Sequence, residues 1–187
     1  TNHIYAINVN RARFRERLDE GNIELNLHEL SGSYFMATHP LNAHTGSNVK
    51  LGKAGKILRL IDDSRINAAT VTSVGEVYKM VSGSIEQGVK SPSNPHVYGL
   101  MYPRLGTIIL DARKLDMSAS FGSVTGSEVP GDNAYKLYKS ISGSAKYTDA
   151  SGDRLGFAGR SSEAVKSTHF FVRVKNGEYN FTNNPTF

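Results

Sequence analysis

Alternating apolar and polar residues are the feature of this sequence that most constrains its fold. In Ile23-Glu24-Leu25-Asn26-Leu27 the aliphatic residues are two positions apart. Successive side chains of a strand point to opposite faces, so this spacing predicts a half-buried β-strand. Four more strands are expected, each bounded by Gly, Ser, Asp or Pro: Ile4 to Val9, Lys56 to Ile61, Glu76 to Val81 and Thr107 to Ala112. The sequence therefore predicts a mainly β fold of antiparallel strands and hairpins, with long loops.

The clearest local signal is a hairpin near the end of the chain. Asn176-Gly177 is the residue pair that best tolerates the positive φ angles of a type I′ turn. A two-residue loop fixes the register of the flanking strands, and Lys175 then faces Glu178. This register gathers five large apolar side chains on one face: Phe170, Val172, Val174, Tyr179 and Phe181. We expect that face to be covered, either by the chain's own core or by a neighbouring subunit.

Helical patterns are short. Ala134 to Ile141 and Arg11 to Leu18 could each form two helical turns, and Ser161 to Lys166 a single one. None is long enough to be stable by itself. In Arg11 to Leu18 a helix would bring Phe14 and Leu18 together, whereas a strand would place all the arginines on one face. The sequence leaves these two alternatives open.

Two similar strings lie sixty residues apart, Val77 to Ser84 and Leu137 to Ser144. Both contain Tyr-Lys followed by Ser-Gly-Ser. A duplication is one interpretation, and a common strand-ending turn is the other. The second is favoured because the sequence around the strings does not continue the similarity.

The size and composition fit one β-rich domain over residues 1–187, or a fragment of a longer structural protein. The chain has 187 residues, of which 39% are hydrophobic, with 18 Gly and 6 Pro, so much of it is expected in turns and surface segments. It begins at Thr1 and stops after Asn183-Asn184-Pro185-Thr186-Phe187, which suggests a piece of a longer protein. No apolar run approaches the about 18 residues that a membrane-spanning helix needs, and no signal peptide is visible.

The sequence offers little for catalysis or cofactor binding. It has no cysteine, which excludes disulfides, thiolate metal ligands and cysteine nucleophiles. Gly46 to Lys53 has the wrong spacing for a phosphate loop, and His39 and His44 lack a nearby carboxylate. Asp149 to Asp153 is better interpreted as a hairpin tip than as a calcium loop. Adjacent Asp62 and Asp63 would point to opposite faces of a strand. No catalytic residue, cofactor or metal site is predicted, so the sequence indicates a protein that is not an enzyme.

A cluster of arginines is the one concentration of charge. The net charge of +5 is spread along the chain except at Arg11, Arg13, Arg15 and Arg17. Guanidinium groups pair bidentately with carboxylates, so these residues are a hypothetical docking surface for an acidic stretch of another subunit. A nucleic-acid surface would have aromatic residues among the basic ones, and only Phe14 is there. Nucleic acid is therefore disfavoured as a partner.

Three parts of the chain together resemble virion structural proteins of large contractile-tailed bacteriophages: Ile4 to Asn22, Tyr98 to Leu110, and Ser167 to Val174 with Tyr179 to Pro185. The resemblance spans the chain but covers under half of its residues, and it carries no catalytic signature. It implies a tail or baseplate component that docks other virion proteins, located in a virion assembled in the host cytoplasm. Homo-oligomerisation is left open.

Two functional hypotheses follow from the residues and the resemblance. The first is a non-enzymatic structural subunit of a phage particle that holds neighbouring subunits together. The alternative is a β-sandwich-type binding module that recognises surface carbohydrate, since tyrosines are plentiful and all-β scaffolds often carry such sites. Against the alternative, the chain has no Trp, and its aromatic residues follow strand alternation as core residues do.

Overall fold

The computed structural model describes residues 3–30, 57–121, 132–146 and 156–173. Over these residues the protein is mainly β, as the sequence predicts, with one large antiparallel sheet and two helices. The strands are β1 (Ile4–Asn8), β2 (Arg17–Leu18), β3 (Glu24–His28), β4 (Ile57–Asp62), β5 (Thr70–Thr72), β6 (Gly75–Ser84), β7 (Gly88–Val89), β8 (Val97–Tyr102), β9 (Thr107–Asp111), β10 (Phe157–Ala158) and β11 (Ser161–Ser162). The helices are α1 (Ala112–Ala119) and α2 (Asp132–Lys146), and Arg11–Arg13 form one turn of 3₁₀ helix.

Strand β6 is the centre of the sheet. Seven of its nine strands run in the order β1-β9-β8-β6-β4-β3-β10, and the other two, β5 and β7, each pair with β6. The ten residues of β6 therefore pair with four other strands. Strands β2 and β11 form a separate two-stranded sheet. In the large sheet, β1 and β10 are the outermost strands.

The core lies between one face of the sheet and the two helices. Alternate residues of the strands supply the sheet side, and Leu115 of α1 and Leu137 of α2 supply the helix side. The fully buried aliphatic and Met residues of the sheet include Leu25, Leu27, Leu60, Met80, Met101, Ile108 and Leu110. A smaller cluster contains Ile61, Val81 and Val89. Because Ile61 and Val81 directly follow Leu60 and Met80, this cluster lies on the opposite face of the sheet.

Strands β8 and β9 approach closely at a glycine. A Cβ atom added to Gly99 would lie 2.0 Å from the carbonyl oxygen of Ile109. No side chain fits there, so this pairing requires glycine. Directly after β9, Asp111 ends the strand and begins α1, because its carboxylate accepts hydrogen bonds from the backbone N–H groups of Arg113 and Lys114.

Most of the predicted strands are confirmed, with small differences in their bounds. The alternating segment at residues 23–27 is β3, and the other four segments are β1, β4, β6 and β9. Thr107 to Ala112 ends one residue early, because Ala112 is already helical. The helical pattern at Ala134 to Ile141 is confirmed and extends over all of α2. Helix α1 and strand β8 were not predicted from their patterns.

Three local expectations are wrong or only partly confirmed. Ser161 to Lys166 is no helical turn, since β11 occupies its first two residues and the rest is irregular. Arg11 to Leu18 adopts both alternatives in part, with a 3₁₀ turn first and strand β2 at its end. The similar strings Val77 to Ser84 and Leu137 to Ser144 lie in a strand and in a helix. They are therefore not copies of one structural unit.

The predicted hairpin lies mostly outside the described residues, as do Val174, Tyr179, Phe181 and the Asn176-Gly177 turn. Phe170 and Val172 are described. Both are exposed and in no strand, so burial of these two side chains in the chain's own core is not observed. The segments around His39, Gly46 to Lys53 and Asp149 to Asp153 also lie outside the described residues.

Candidate assembly surface

The arginine segment is anchored to the domain by an aromatic residue in its middle. Asn10 begins the 3₁₀ turn by accepting a hydrogen bond from the backbone N–H of Ala12 at 2.9 Å. Phe14 follows in extended conformation and is buried. Its ring packs so closely on Gly106 that an added Cβ there would lie 2.5 Å away. The anchor leaves the arginines on either side of Phe14 near the surface.

Three of the four arginines bind groups of their own chain. Arg11 donates to the backbone oxygen of Glu16 at 2.9 Å, and its guanidinium lies 4.6 Å from the centroid of the Phe14 ring. Arg15 donates from Nη1 to both carboxylate oxygens of Glu163, at 2.9 and 3.0 Å. Arg11 and Arg15 therefore already have intramolecular partners where the docking hypothesis requires free guanidinium groups.

Arg17 joins three elements of the fold. Its guanidinium lies 3.1 Å from Glu20 and 3.3 Å from Glu76, and its Nε donates to Ser162 Oγ at 3.2 Å. Glu76 belongs to β6 and Ser162 to β11, so this side chain ties the small sheet to the large one. Arg13 is different: it is exposed and makes no side-chain hydrogen bond within the described part of the chain. The four arginines are close in sequence, but they have different roles in the structure.

The C-terminal segment is attached to the arginine segment by a short polar contact, which we call the clip: β11 paired with β2, the Arg15–Glu163 ion pair, and the Glu16–Ala164 hydrogen bond. In the two-stranded pairing Ser161 lies opposite Leu18 and Ser162 opposite Arg17. The Glu16 carboxylate accepts the backbone N–H of Ala164 at 2.8 Å. The clip is formed by main-chain and charged groups at the surface.

The pKa of the Glu16 carboxyl in the clip is shifted by its surroundings. The backbone N–H of Ala164 lowers the pKa of the Glu16 carboxyl below its usual value. Arg104, Arg17 and Arg11 add smaller shifts of this pKa in the same direction, and partial desolvation opposes them. A hydrogen bond to the ionised form favours that form, so the clip is strongest when Glu16 is charged.

Beyond the clip the chain projects into solvent as an exposed segment of residues 165–173, here called the arm. It contains no helix or strand, and every residue in it is exposed. Its apolar side chains are almost fully accessible: Val165 84%, Phe170 85%, Phe171 98% and Val172 84%. Scattered exposed apolar residues are ordinary on protein surfaces, but three consecutive large ones are not. The arm is the most exposed apolar feature of the described residues.

Two groups of buried polar residues have structural explanations. The carboxylate of Asp62 accepts the backbone N–H of Gly21 at 2.9 Å and of Ser64 at 3.1 Å. Asp63 accepts the backbone N–H of Lys79 at 2.8 Å and the side-chain amide of Asn67 at 2.9 Å. These bonds fix the turn after β4, so the two carboxylates serve the backbone rather than a shared substrate position.

The second buried group lies between β3 and α2. Ser140 of α2 donates to the backbone oxygen of His28 at 2.7 Å, and Nδ1 of His28 lies 2.7 Å from the backbone oxygen of Glu29. Both side chains are fully buried, which prevents a substrate from reaching them. Over the described residues, no group of three His, Asp or Glu side chains could hold a metal ion.

One cleft of about 530 Å³ lies where the β6–β7 turn approaches the start of β4. Its lining includes Arg59, Ser84, Glu86, Gln87 and Lys90, and none of its described lining residues is aromatic. Sugar rings commonly stack on aromatic side chains, so this cleft lacks the usual carbohydrate contact.

No family model, curated protein or solved structure matches this chain. No helix within the described residues is both long and apolar enough to cross a membrane. The sequence-based hypothesis identified the arginine segment but missed that Arg15 pairs with Glu163 and that Glu16, within the same segment, binds the backbone of Ala164. The two residues of each pair are 148 positions apart in the chain, and no local pattern connects them.

Proposed function

We propose that this chain is a non-enzymatic structural subunit that holds neighbouring subunits together in a particle. The exposed arm carries this proposal. Its Phe170-Phe171-Val172 sequence gains free energy on burial, roughly 1.5 to 3 kcal/mol for each side chain, and the described residues of the domain leave it exposed. A segment that is anchored at its base and apolar beyond it suits docking to another subunit.

The kind of particle is proposed from the sequence resemblance. The resemblance to virion structural proteins of large contractile-tailed bacteriophages supports a tail or baseplate position, with other virion proteins as partners and assembly in the host cytoplasm. The architecture is compatible with this role, since extended segments and strand edges are common means of joining subunits.

The carbohydrate-binding alternative gains no support from the described residues. They form one large sheet with helices on one face instead of the two packed sheets of a sandwich. The cleft beside β7 offers charged and amide side chains but no aromatic ring. We therefore retain the structural role as the single proposal.

The direct test is mass spectrometry of purified particles from the source of this sequence. We expect the chain in stoichiometric amounts with other virion proteins, and its absence from any particle would contradict the proposal. A second experiment compares co-assembly of the wild type with Phe170→Ser/Phe171→Ser. The matched control, Lys166→Ser/Ser167→Ala, changes the same exposed arm but keeps Phe170, Phe171 and Val172.

The non-enzymatic part of the proposal has its own test. A panel of hydrolase assays that includes peptidoglycan and glycoside substrates should show no turnover above the buffer control. Reproducible turnover that one point substitution abolishes would overturn this part.

A further inference from the structure

Within the part of the chain that the structure describes, the main-chain groups along the outer edge of β1 pair with no other strand. The backbone N–H of Val9 donates to Gly106 at 2.8 Å, and the backbone oxygen of His3 accepts from Ala112 at 3.3 Å. In an antiparallel ladder the groups of alternate residues point the same way, so odd-numbered residues of β1 face β9. The N–H and C=O groups of Ile4, Ala6 and Asn8 therefore point away from the sheet.

This edge lacks the devices that usually block strand addition. Natural edge strands are protected by Pro, by Lys, by bulges or by great shortness. Strand β1 is Ile-Tyr-Ala-Ile-Asn, five residues in uninterrupted register with β9. Ile4, Ala6 and Asn8 are exposed, and no described element lies outside this edge. The edge can accept another strand.

The arm has the composition of a strand that could pair with this edge. Thr168-His169-Phe170-Phe171-Val172-Arg173 is rich in aromatic and β-branched residues, which favour extended pairing. All six residues are exposed and pair with no strand in the described chain. Nine residues from Val165 to Arg173 reach roughly 30 Å when extended, enough to extend well beyond the clip.

We propose that the arm of one copy adds as a strand to the β1 edge of a second copy. This inference rests on the proposed structural role and names its partner, a second copy of this chain. The donor site (the arm) and the acceptor site (the edge) are different surfaces, so the contact is heterologous. Repetition of such a contact gives a ring or a filament.

The proposal is tested by cross-linking in a chain that has no native cysteine. An Ala6→Cys protein with a size tag is mixed with an untagged Phe171→Cys protein and treated with a short bis-maleimide. A cross-linked tagged–untagged pair is expected. Val71→Cys in place of Ala6→Cys is the control, because Val71 is 80% exposed on β5, away from the edge. Equal cross-linking to both sites, or to neither, would overturn the proposal.

A second pair of variants tests the role of the edge main chain. Ala6→Pro removes an N–H that points outward and that β9 does not use, whereas Ala6→Ser keeps it. Sedimentation velocity should show concentration-dependent association of the wild type and Ala6→Ser, and its loss in Ala6→Pro. Circular dichroism of all three proteins identifies any unfolded variant. Association that survives in a folded Ala6→Pro protein would contradict the edge as the acceptor.

Two further outcomes separate this inference from the proposed function. Cross-linking within one chain of an Ala6→Cys/Phe171→Cys protein, independent of concentration, would mean that the arm pairs with its own edge. The second-copy proposal would then be wrong. If the chain is found in particles, but Ala6 and Phe171 never cross-link between copies, the structural role holds and the arm binds a different virion protein.

Discussion

The sheet around β6 and the segment after residue 156 differ in what holds them in place. The sheet is stabilised by burial: Leu60, Met80, Met101 and Ile108 have no accessible surface. The C-terminal segment has two short strand pairings, the packing of Phe157 against the core, one ion pair, and hydrogen bonds that join Ser162 and Ala164 to the arginine segment, followed by its exposed apolar residues. The sheet is thus stabilised by its own buried side chains, whereas the segment beyond Phe157 is held by polar contacts at the surface. This difference supports the proposal that the exposed apolar side chains of the segment are buried against another subunit.

The largest expected effect contrasts one side chain from each region. Leu60→Ala removes a fully buried side chain of β4 and should lower the free energy of unfolding by about 2 to 5 kcal/mol. Phe171→Ala in the exposed arm should change it by less than about 0.5 kcal/mol. Urea unfolding of dilute protein, below the concentration of any association, measures both. Comparable losses would show that the arm is part of the core, and the contrast would fail.

A smaller loss is expected at the close approach of β8 and β9. Gly99→Ala introduces a Cβ into space occupied by the carbonyl oxygen of Ile109. The two strands must separate locally, so we expect a loss of about 1 to 3 kcal/mol. Thermal unfolding of this variant can be compared with Gly88→Ala, whose added Cβ would meet nothing within 4 Å, although Gly88 has a positive φ. A stable Gly99→Ala protein would mean that this part of the sheet can adjust.

The arginines should separate into structural and external residues. Arg17→Gln breaks contacts with Glu20, Glu76 and Ser162 and should cost about 1 to 2 kcal/mol in unfolding free energy. Arg13→Gln is the matched control and should be neutral. For co-assembly the order reverses if the docking hypothesis is right, since among the four arginines only Arg13 makes no side-chain hydrogen bond to a described residue. Exchange of all four for Gln with no effect on co-assembly would remove the docking hypothesis.

The smallest effect is the pH dependence of the clip. Because the folded-state pKa of Glu16 is lowered, its contribution is present above the usual carboxyl pKa of 4.5 and is lost as the pH falls through the lowered value. The protection of the Ala164 amide against hydrogen exchange, relative to the intrinsic rate at each pH, should therefore fall, and its NMR signal should shift, in that acidic range. Glu16→Gln should abolish the titration of this signal. An Ala164 amide that responds identically in both proteins would exclude Glu16 as its partner.

The alternation of apolar and polar residues predicted the strands well because the residues of each buried face lie only two positions apart in the sequence. The segment at residues 23–27 illustrates this: Ile23, Leu25 and Leu27 are all fully buried. Helix α1 was missed because Asp111 ends a strand and starts a helix with no intervening loop. The two similar segments with Ser-Gly-Ser show where prediction from local sequence fails. One lies in β6 and the other in α2, because different neighbouring residues favour a strand in one place and a helix in the other.

The candidate surface could be predicted only in part. The arginines were visible as a charge cluster, but their roles depend on Glu76 and Glu163, which are brought near by tertiary structure. The predicted burial of Phe170 and Val172 followed from turn chemistry and cross-strand pairing. Neither of these rules specifies which molecule supplies the covering surface.

The pairing of β1 with β9 has a consequence for synthesis of the chain. Ile4 lies opposite Asp111 and Asn8 opposite Thr107, so about a hundred residues separate the two strands. At translation rates of roughly 5 to 20 residues per second, β1 leaves the ribosome about 5 to 20 seconds before its partner. Strands β4 to β8 can pair with one another during that interval, but β1 cannot join the sheet. Strand β1 is therefore made before the other strands of this sheet but joins it only when β9 arrives, and during that delay both of its edges can pair incorrectly.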